Sequence, residues 1–276
     1  MKLISTKSFS FLALFFALFL HDPSFAAPEV STDGVFVKQT EKLKKISTSK
    51  KQIWVVGYAN STIENAIKDL EASLNNGADA IVFEGGYEKL DETFTALRKI
   101  YPDKPIGVNC LCSSKSYVET FELAKKHKLQ IAWTDFSGVD LIEGYDEFSL
   151  QEIDKLKPEG VFYVSGIHMK YSTLQDPTKT IEKSAQQAIG WVDGIVITGT
   201  ATGVATDPER ARRARAVIGD YPMGAASGVS AENVNTIIHN VDFMLVNTSI
   251  SDINHRILPE KVKALRQSID QALNLK

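Results

Sequence analysis

The hydrophobic positions of this chain fall into short apolar runs separated by longer stretches in which apolar residues recur every three to four positions. The runs cover residues 53–58, 80–84, 106–110, 130–134, 160–165, 194–198, 223–226 and 243–247. A strand buried on both faces has no polar side to show, so each run predicts one strand of a parallel sheet. The intervening stretches predict helices. Over 63–74, Ile63, Ala66, Ile67, Leu70 and Leu74 share one side while Glu64, Lys68, Asp69 and Glu71 occupy the other, the stripe of a helix lying on a sheet. Val262, Leu265, Ile269 and Leu273 repeat the pattern in a last helix over 259–273. Ser61-x-x-Glu64 and Ser149-x-x-Glu152 have the form of capping boxes, and Asp207 before Pro208 sets a cap ahead of a proline at the first helical position.

Eight strand, loop and helix units, with strand starts about 20 to 35 residues apart, use the whole chain from residue 51 to residue 276 and predict one α/β domain, a closed (β/α)8 TIM barrel. The rival arrangement is a doubly wound open sheet. It carries a glycine-rich dinucleotide turn after its first strand, and Tyr58-Ala59-Asn60-Ser61 is not such a turn. Residues 27–50 form a separate N-terminal segment, whose charged part from Gly34 onward is the candidate for a helix capping the barrel floor.

The first 26 residues have a different character. Lys2 and Lys7 precede an apolar run over 11–20, and Ser24-Phe25-Ala26-Ala27 supplies small residues at a cleavage point. A run of about ten residues falls well short of the roughly 20 that cross a bilayer, so residues 1–26 read as a secretory signal peptide. The expected product is periplasmic or secreted, with no integral membrane segment left after cleavage. A net charge of −3 with no long run of one sign gives no electrostatic footprint for nucleic acid. Cys110 and Cys112 stand alone as a C-x-C pair. Bridging positions so close on a strand strains the backbone, so free thiols or a labile redox pair are expected in place of an ordinary structural disulfide. Two sulfurs also fall short of the four ligands of a zinc site, and no metal is assigned.

In barrels of this kind ligands bind at the carboxyl ends of the strands. The residues collected there are Tyr58 and Asn60, Glu84, Asn109, Asp135, His168 and Lys170, the run Thr198-Gly199-Thr200-Ala201-Thr202-Gly203, Ser227-Gly228, and Asn247-Thr248-Ser249. Glycines let backbone N–H groups face a ligand closely, and hydroxyls add donors and acceptors without fixed charge. The same threonines can instead satisfy the backbone of a tight turn. Both readings stay open.

The run ITGTATG, with AASGVSAENV and FMLVNTSI after it and NNGADAIVFEGG and KPIGVNCL before it, resembles the BtpA family of barrel proteins. The family resembles phosphate-binding barrels and takes its name from a factor linked to photosystem I biogenesis; the resemblance implies fold more than reaction. Where the family carries Glu-Asn and then Asp-x-Pro-Phe after the second strand, this chain keeps Glu84 and continues Gly85-Gly86-Tyr87. After the third strand Asn-x-Leu-x-Asn-Asp becomes Asn109-Cys110-Leu111-Cys112-Ser113-Ser114, which keeps Asn109 and loses a carboxylate. Gly-Thr-Ser becomes Asn247-Thr248-Ser249, placing a side chain where a phosphate would approach bare backbone. Lys170 matches the family's lysine after the fifth strand. These departures imply a changed substrate or lapsed catalysis.

Glu84 and Asp135 are the acid–base candidates, because a partly desolvated carboxylate has a raised pKa. Asp135 can equally organise a turn. Lys170 can neutralise an anion or form a Schiff base, and His168 can move protons or serve as a hydrogen-bonded loop residue. Asn109, Thr198, Gly199, Thr200, Thr202, Gly203, Ser227, Gly228, Thr248 and Ser249 are the ligand-binding candidates. The sequence therefore predicts a small-molecule site for a sugar, a nucleoside or a phosphorylated derivative, in a hydrolase, lyase or transferase. The alternative is a catalytically lapsed barrel acting as a ligand-binding or assembly factor. It names no cofactor and no oligomeric state.

Overall fold

A computed structural model describes residues 50–59, 62–113, 115–144 and 150–274. The leader, most of the floor segment and the caps at Ser61 and Ser149 lie outside the described residues, as does Asn60. The strands are β1 (Gln52–Tyr58), β2 (Ala80–Gly85), β3 (Ile106–Cys110), β4 (Ile131–Thr134), β5 (Phe162–Gly166), β6 (Gly194–Thr198), β7 (Met223–Ala226) and β8 (Phe243–Val246). They pair in sequence order, all parallel, and β8 returns to β1, so the sheet closes into a barrel. Around it run α1 (Ile63–Leu74), α2 (Tyr87–Ile100), α3 (Ser116–Lys126), α4 (Leu150–Leu156), α5 (Ile181–Ala188), α6 (Pro208–Ile218) and α7 (Pro259–Asn274). Between β7 and β8 the chain forms only a 3-10 turn, Val234–Thr236, and not the helix that strict alternation predicts.

Side chains alternate across a strand, so every second residue enters the barrel. The inward set forms one apolar cluster that includes Trp54, Val82, Phe162, Val164, Val196 and Phe243. Trp54 stacks on Phe243 at 4.2 Å between ring centroids and meets Phe162 edge-on at 6.0 Å. Rings of this size fit because neighbouring strands contribute glycines: a Cβ on Gly224 would lie 2.1 Å from the Phe243 ring. The outward set, with Ile53, Phe83, Val108, Tyr163 and Ile195, meets Leu70, Phe94, Phe121, Ile181 and Leu265 of the surrounding helices in the larger cluster. At the amino ends of the strands, buried Asp242 accepts from Arg215 at 2.6 Å and from Lys51 at 3.3 Å, and it also takes the Met223 N–H.

Local chemistry explains where the helices begin. Thr62 caps α1, its hydroxyl accepting from the Asn65 N–H. Asp207 caps α6 as expected, accepting from the Glu209 N–H with Pro208 next. The two cysteines are bonded to each other, so of the two expected alternatives, free thiols or a redox pair, the free thiols are not found. The strand ends at Cys110 and the chain curls away, which brings the two Cα atoms to 5.2 Å, inside the range a disulfide spans. Among the described residues no helix is long and apolar enough to cross a membrane.

The aromatic floor sets a test of this packing. Gly224→Ala forces its new methyl against Phe243, an overpacking that costs about 1–3 kcal/mol. The expected result is a lower urea midpoint at an unchanged slope; an unaltered midpoint would show that the ring yields freely.

Candidate active site

Two residues beyond the apolar fill, the inward positions of several strands turn polar. Val82 is followed by Glu84 on β2, Trp133 by Asp135 at the end of β4, and Val196 by Thr198 on β6. They line a cavity of about 290 Å³ at the carboxyl ends of the strands, whose apolar wall includes Val56, Trp133, Met169, Ala226 and Leu245.

The acidic side of the cavity is organised by Asn109. The β2–β3 register sets it directly beside Glu84, and its amide nitrogen donates to Glu84 Oε1 and to Asp135 Oδ1, at 3.2 Å each. Asn109 is fully buried and does not itself line the cavity. Burial, followed by the negative charge of Asp135, pushes the Glu84 carboxyl up to about 8, against the pull of Lys170 and Asn109. Burial also raises Asp135, opposed by the Asn109 hydrogen bond and the Lys170 charge. Near neutral pH Glu84 is therefore a neutral acid beside an ionisable partner. Tyr58, on the same wall, is raised by burial and by Glu84.

The opposite side carries the cation. The Lys170 N–H donates to Thr198 Oγ1 at 2.8 Å, and its Nζ donates to Thr202 Oγ1 at 3.0 Å. Tyr171 closes the same joint: its hydroxyl accepts from the Thr202 N–H at 2.8 Å. From α6, Arg210 donates to the carbonyls of Thr198 and His168 at 3.1 and 3.2 Å, clasping the loops after β5 and β6 together. His168 itself is absent from the cavity wall. Its ring nitrogen lies 3.0 Å from Ser184 Oγ, which donates to Asp140 at 2.5 Å. Ser184 is fully buried and stands between the His and the Asp, so this is a structural network and not a nucleophile with its base.

Of the sequence candidates, Glu84, Asp135, Lys170, Thr198, Thr202, Gly203, Ser227, Gly228, Thr248 and Ser249 line the cavity. Gly199 and Thr200 do not. A Cβ on Gly199 would fall 2.1 Å from the Val204 carbonyl oxygen, so that glycine serves the turn of its own loop, while Thr200 is exposed. Gly228, at φ +62°, lets the loop after β7 touch the backbone of Ala205. The Ser249 hydroxyl is committed to the Val229 carbonyl at 2.6 Å. The Asn247 amide donates to the Val56 carbonyl at 2.7 Å, across the β8–β1 seam. Trp133 and Arg210 escaped the sequence reading. The first looks like any apolar strand residue, although its place two before Asp135 marks it as inward-facing; the second carries no local signal.

Residues 54–271 match the BtpA family. An uncharacterised protein of Archaeoglobus fulgidus is 25% identical over 211 residues, covering 69% of this chain and 82% of that protein. Among solved structures, thiamine phosphate pyrophosphorylase from Pyrococcus furiosus superposes with a TM-score of 0.58 at 13% identity, covering 84% of this chain and 99% of that one. Phosphoribosyl anthranilate isomerase from Thermus thermophilus gives 0.55 at 15% identity, covering 80% and 98%. At these identities the structural likeness shows the barrel fold.

The proton balance of the acidic pair is measurable directly. With carboxyl-labelled glutamate, the Glu84 carbon signal should titrate at about 8, well above the ordinary value of 4.5. Asp135→Asn removes a neighbouring negative charge and should lower that midpoint; Lys170→Met removes a positive one and should raise it. Between the two pH values the folded chain keeps a proton that the unfolded chain releases. Stability from this group therefore falls as pH rises from about 4.5 to about 8, and Glu84→Gln should remove that slope. A midpoint in the ordinary carboxylate range would contradict the assignment.

Proposed function

The chain belongs to the BtpA family, and from that premise we propose an acid–base enzyme of the hydrolase, lyase or transferase type acting on a small polar molecule. The observation that carries this reading is the Glu84–Asn109–Asp135 bridge at the wall of a cavity. Two acids in one desolvated site, with one carboxyl raised to about 8, supply a proton donor and a proton acceptor together.

The charge layout narrows the ligand. Carboxylates stand on the β2–β4 side, and Lys170 with the hydroxyls of Thr202, Ser227 and Thr248 stands on the β5–β8 side. A molecule with a neutral reacting end and a polar or anionic far end suits that division: a sugar, a nucleoside or a phosphorylated derivative. Both solved neighbours are named for phosphate-bearing compounds, which favours the phosphorylated member. We extend the proposal to export, on the leader pattern of residues 1–26. In that compartment the non-phosphorylated ligand gains weight. Amino-terminal sequencing of the protein from its native cells tests export, with Ala27 or its neighbour expected as the first residue and Met1 as the contrary result.

Thermal shift of residues 27–276 against nucleosides, sugars, their phosphates and inorganic phosphate tests the ligand class. A compound at about 100 times its Kd stabilises by about 2.7 kcal/mol, which moves Tm by several degrees. The shift should disappear in Lys170→Ala and Ser227→Ala. Glu84→Gln should keep the shift and lose turnover. Turnover that survives Glu84→Gln would remove the acid–base role, and binding without any turnover would leave a ligand-binding barrel.

A further inference from the structure

Two tryptophans fill the barrel interior, and their indole nitrogens differ. Trp54, fully buried, donates from Nε1 to Gln52 Oε1 at 2.8 Å. Trp133 is 5% exposed, and among the described residues its Nε1 has no hydrogen-bond partner. A buried N–H left unpaired destabilises the fold, and a phenylalanine would fill nearly the same space without that cost. Unlike Trp54, Trp133 lines the cavity, together with Glu84, Asp135 and Lys170. An indole N–H donates and never accepts, so whatever completes it brings a lone pair.

We propose that the ligand is a carbonyl compound, its carbonyl oxygen held by the Trp133 N–H and the Glu84 carboxyl, and that Asp135 removes a proton from the adjacent carbon. The proposal rests on the acid–base reading above and narrows its substrate class. Glu84 lines the same cavity, and its protonated carboxyl is a second neutral donor; two neutral donors suit an oxygen that gains charge during reaction. A phosphate or carboxylate placed there would meet the Asp135 charge.

The step balances within the site. The C–H bond breaks, its proton passes to the Asp135 carboxylate, and its electron pair shifts to form the C=C of an enolate. The former carbonyl oxygen takes the negative charge against Trp133 Nε1–H and the Glu84 O–H, with Lys170 as the nearby cation. Return of the proton to carbon restores a carbonyl compound and the starting enzyme, so no oxidant, reductant or co-reactant is required.

Solvent exchange reads this step without knowledge of the natural product. The purified protein is incubated in heavy water with dihydroxyacetone, ribulose, ribulose 5-phosphate or pyruvate, and deuterium at the carbon next to the carbonyl is followed by mass spectrometry. At least one probe should exchange above the enzyme-free rate. Trp133→Phe keeps the ring in the barrel and should retain the Tm, yet lower kcat for exchange by about 100- to 1000-fold with KM nearly unchanged, as loss of one oxyanion donor does. Asp135→Asn should abolish exchange. Absence of exchange with every probe, or exchange untouched by Trp133→Phe, would overturn the proposal. A nucleoside or methyl glycoside that is turned over with Glu84-dependent kinetics and no effect of Trp133→Phe would also overturn it, while leaving the acid–base reading intact.

Discussion

The Asn109 side-chain nitrogen donates to Glu84 and to Asp135 at 3.2 Å each, and the top of the barrel is arranged around that one amide. Two carboxylates sharing a poorly solvated space repel when both are ionised, and burial disfavours each charge further. A carboxamide cannot neutralise either acid, but it donates to both at once and fixes their spacing. The outcome is a pair that holds a proton where separate surface carboxylates would hold none. Lys170, on the facing wall, limits how far the repulsion goes.

Holding Lys170 there is the work of the loops after β5 and β6. Thr198 takes its backbone N–H, Thr202 takes its ammonium, and Arg210 grips the carbonyls on either side. The His168–Ser184–Asp140 network anchors the start of the same loop to α5, and buried Asp140 is itself paired with Lys179 at 3.0 Å. At the other end of the barrel, Asp242 with Arg215 and Lys51 does comparable structural work. The floor thus carries a carboxylate paired with two cations, while the mouth carries Glu84 and Asp135 bridged by an amide at the end of the barrel where function is expected.

The barrel was legible because buried parallel strands are apolar on both faces: β3, β6 and β7 match the predicted runs residue for residue. The turn between β7 and β8 was not legible as a 3-10 segment, because Val234, Ile237, Ile238 and Val241 are buried there as a helix face would be. Glu84, Asp135 and Lys170 could be placed on one cavity from position alone, as residues at the ends of strands. The bridge through Asn109 could not, since it depends on the β2–β3 register. Gly199 shows the opposite error: a glycine that resembles a ligand contact is required by the approach of its own loop's backbone. Trp133 was hidden inside an apolar run, and its unpaired nitrogen and its place on the cavity separate it from Trp54.

What unites these features is one proton held on Glu84 near neutral pH, at the end of a strand, facing a cavity with a cation on its far wall. Infrared difference spectroscopy between the unaltered protein and Glu84→Gln, recorded near pH 7, counts that proton most directly. The account predicts that the substitution removes a protonated-carboxyl C=O band and leaves the ionised-carboxylate bands unchanged. Loss of an ionised-carboxylate band instead would show Glu84 to be charged, and the acid–base pair would fall with it.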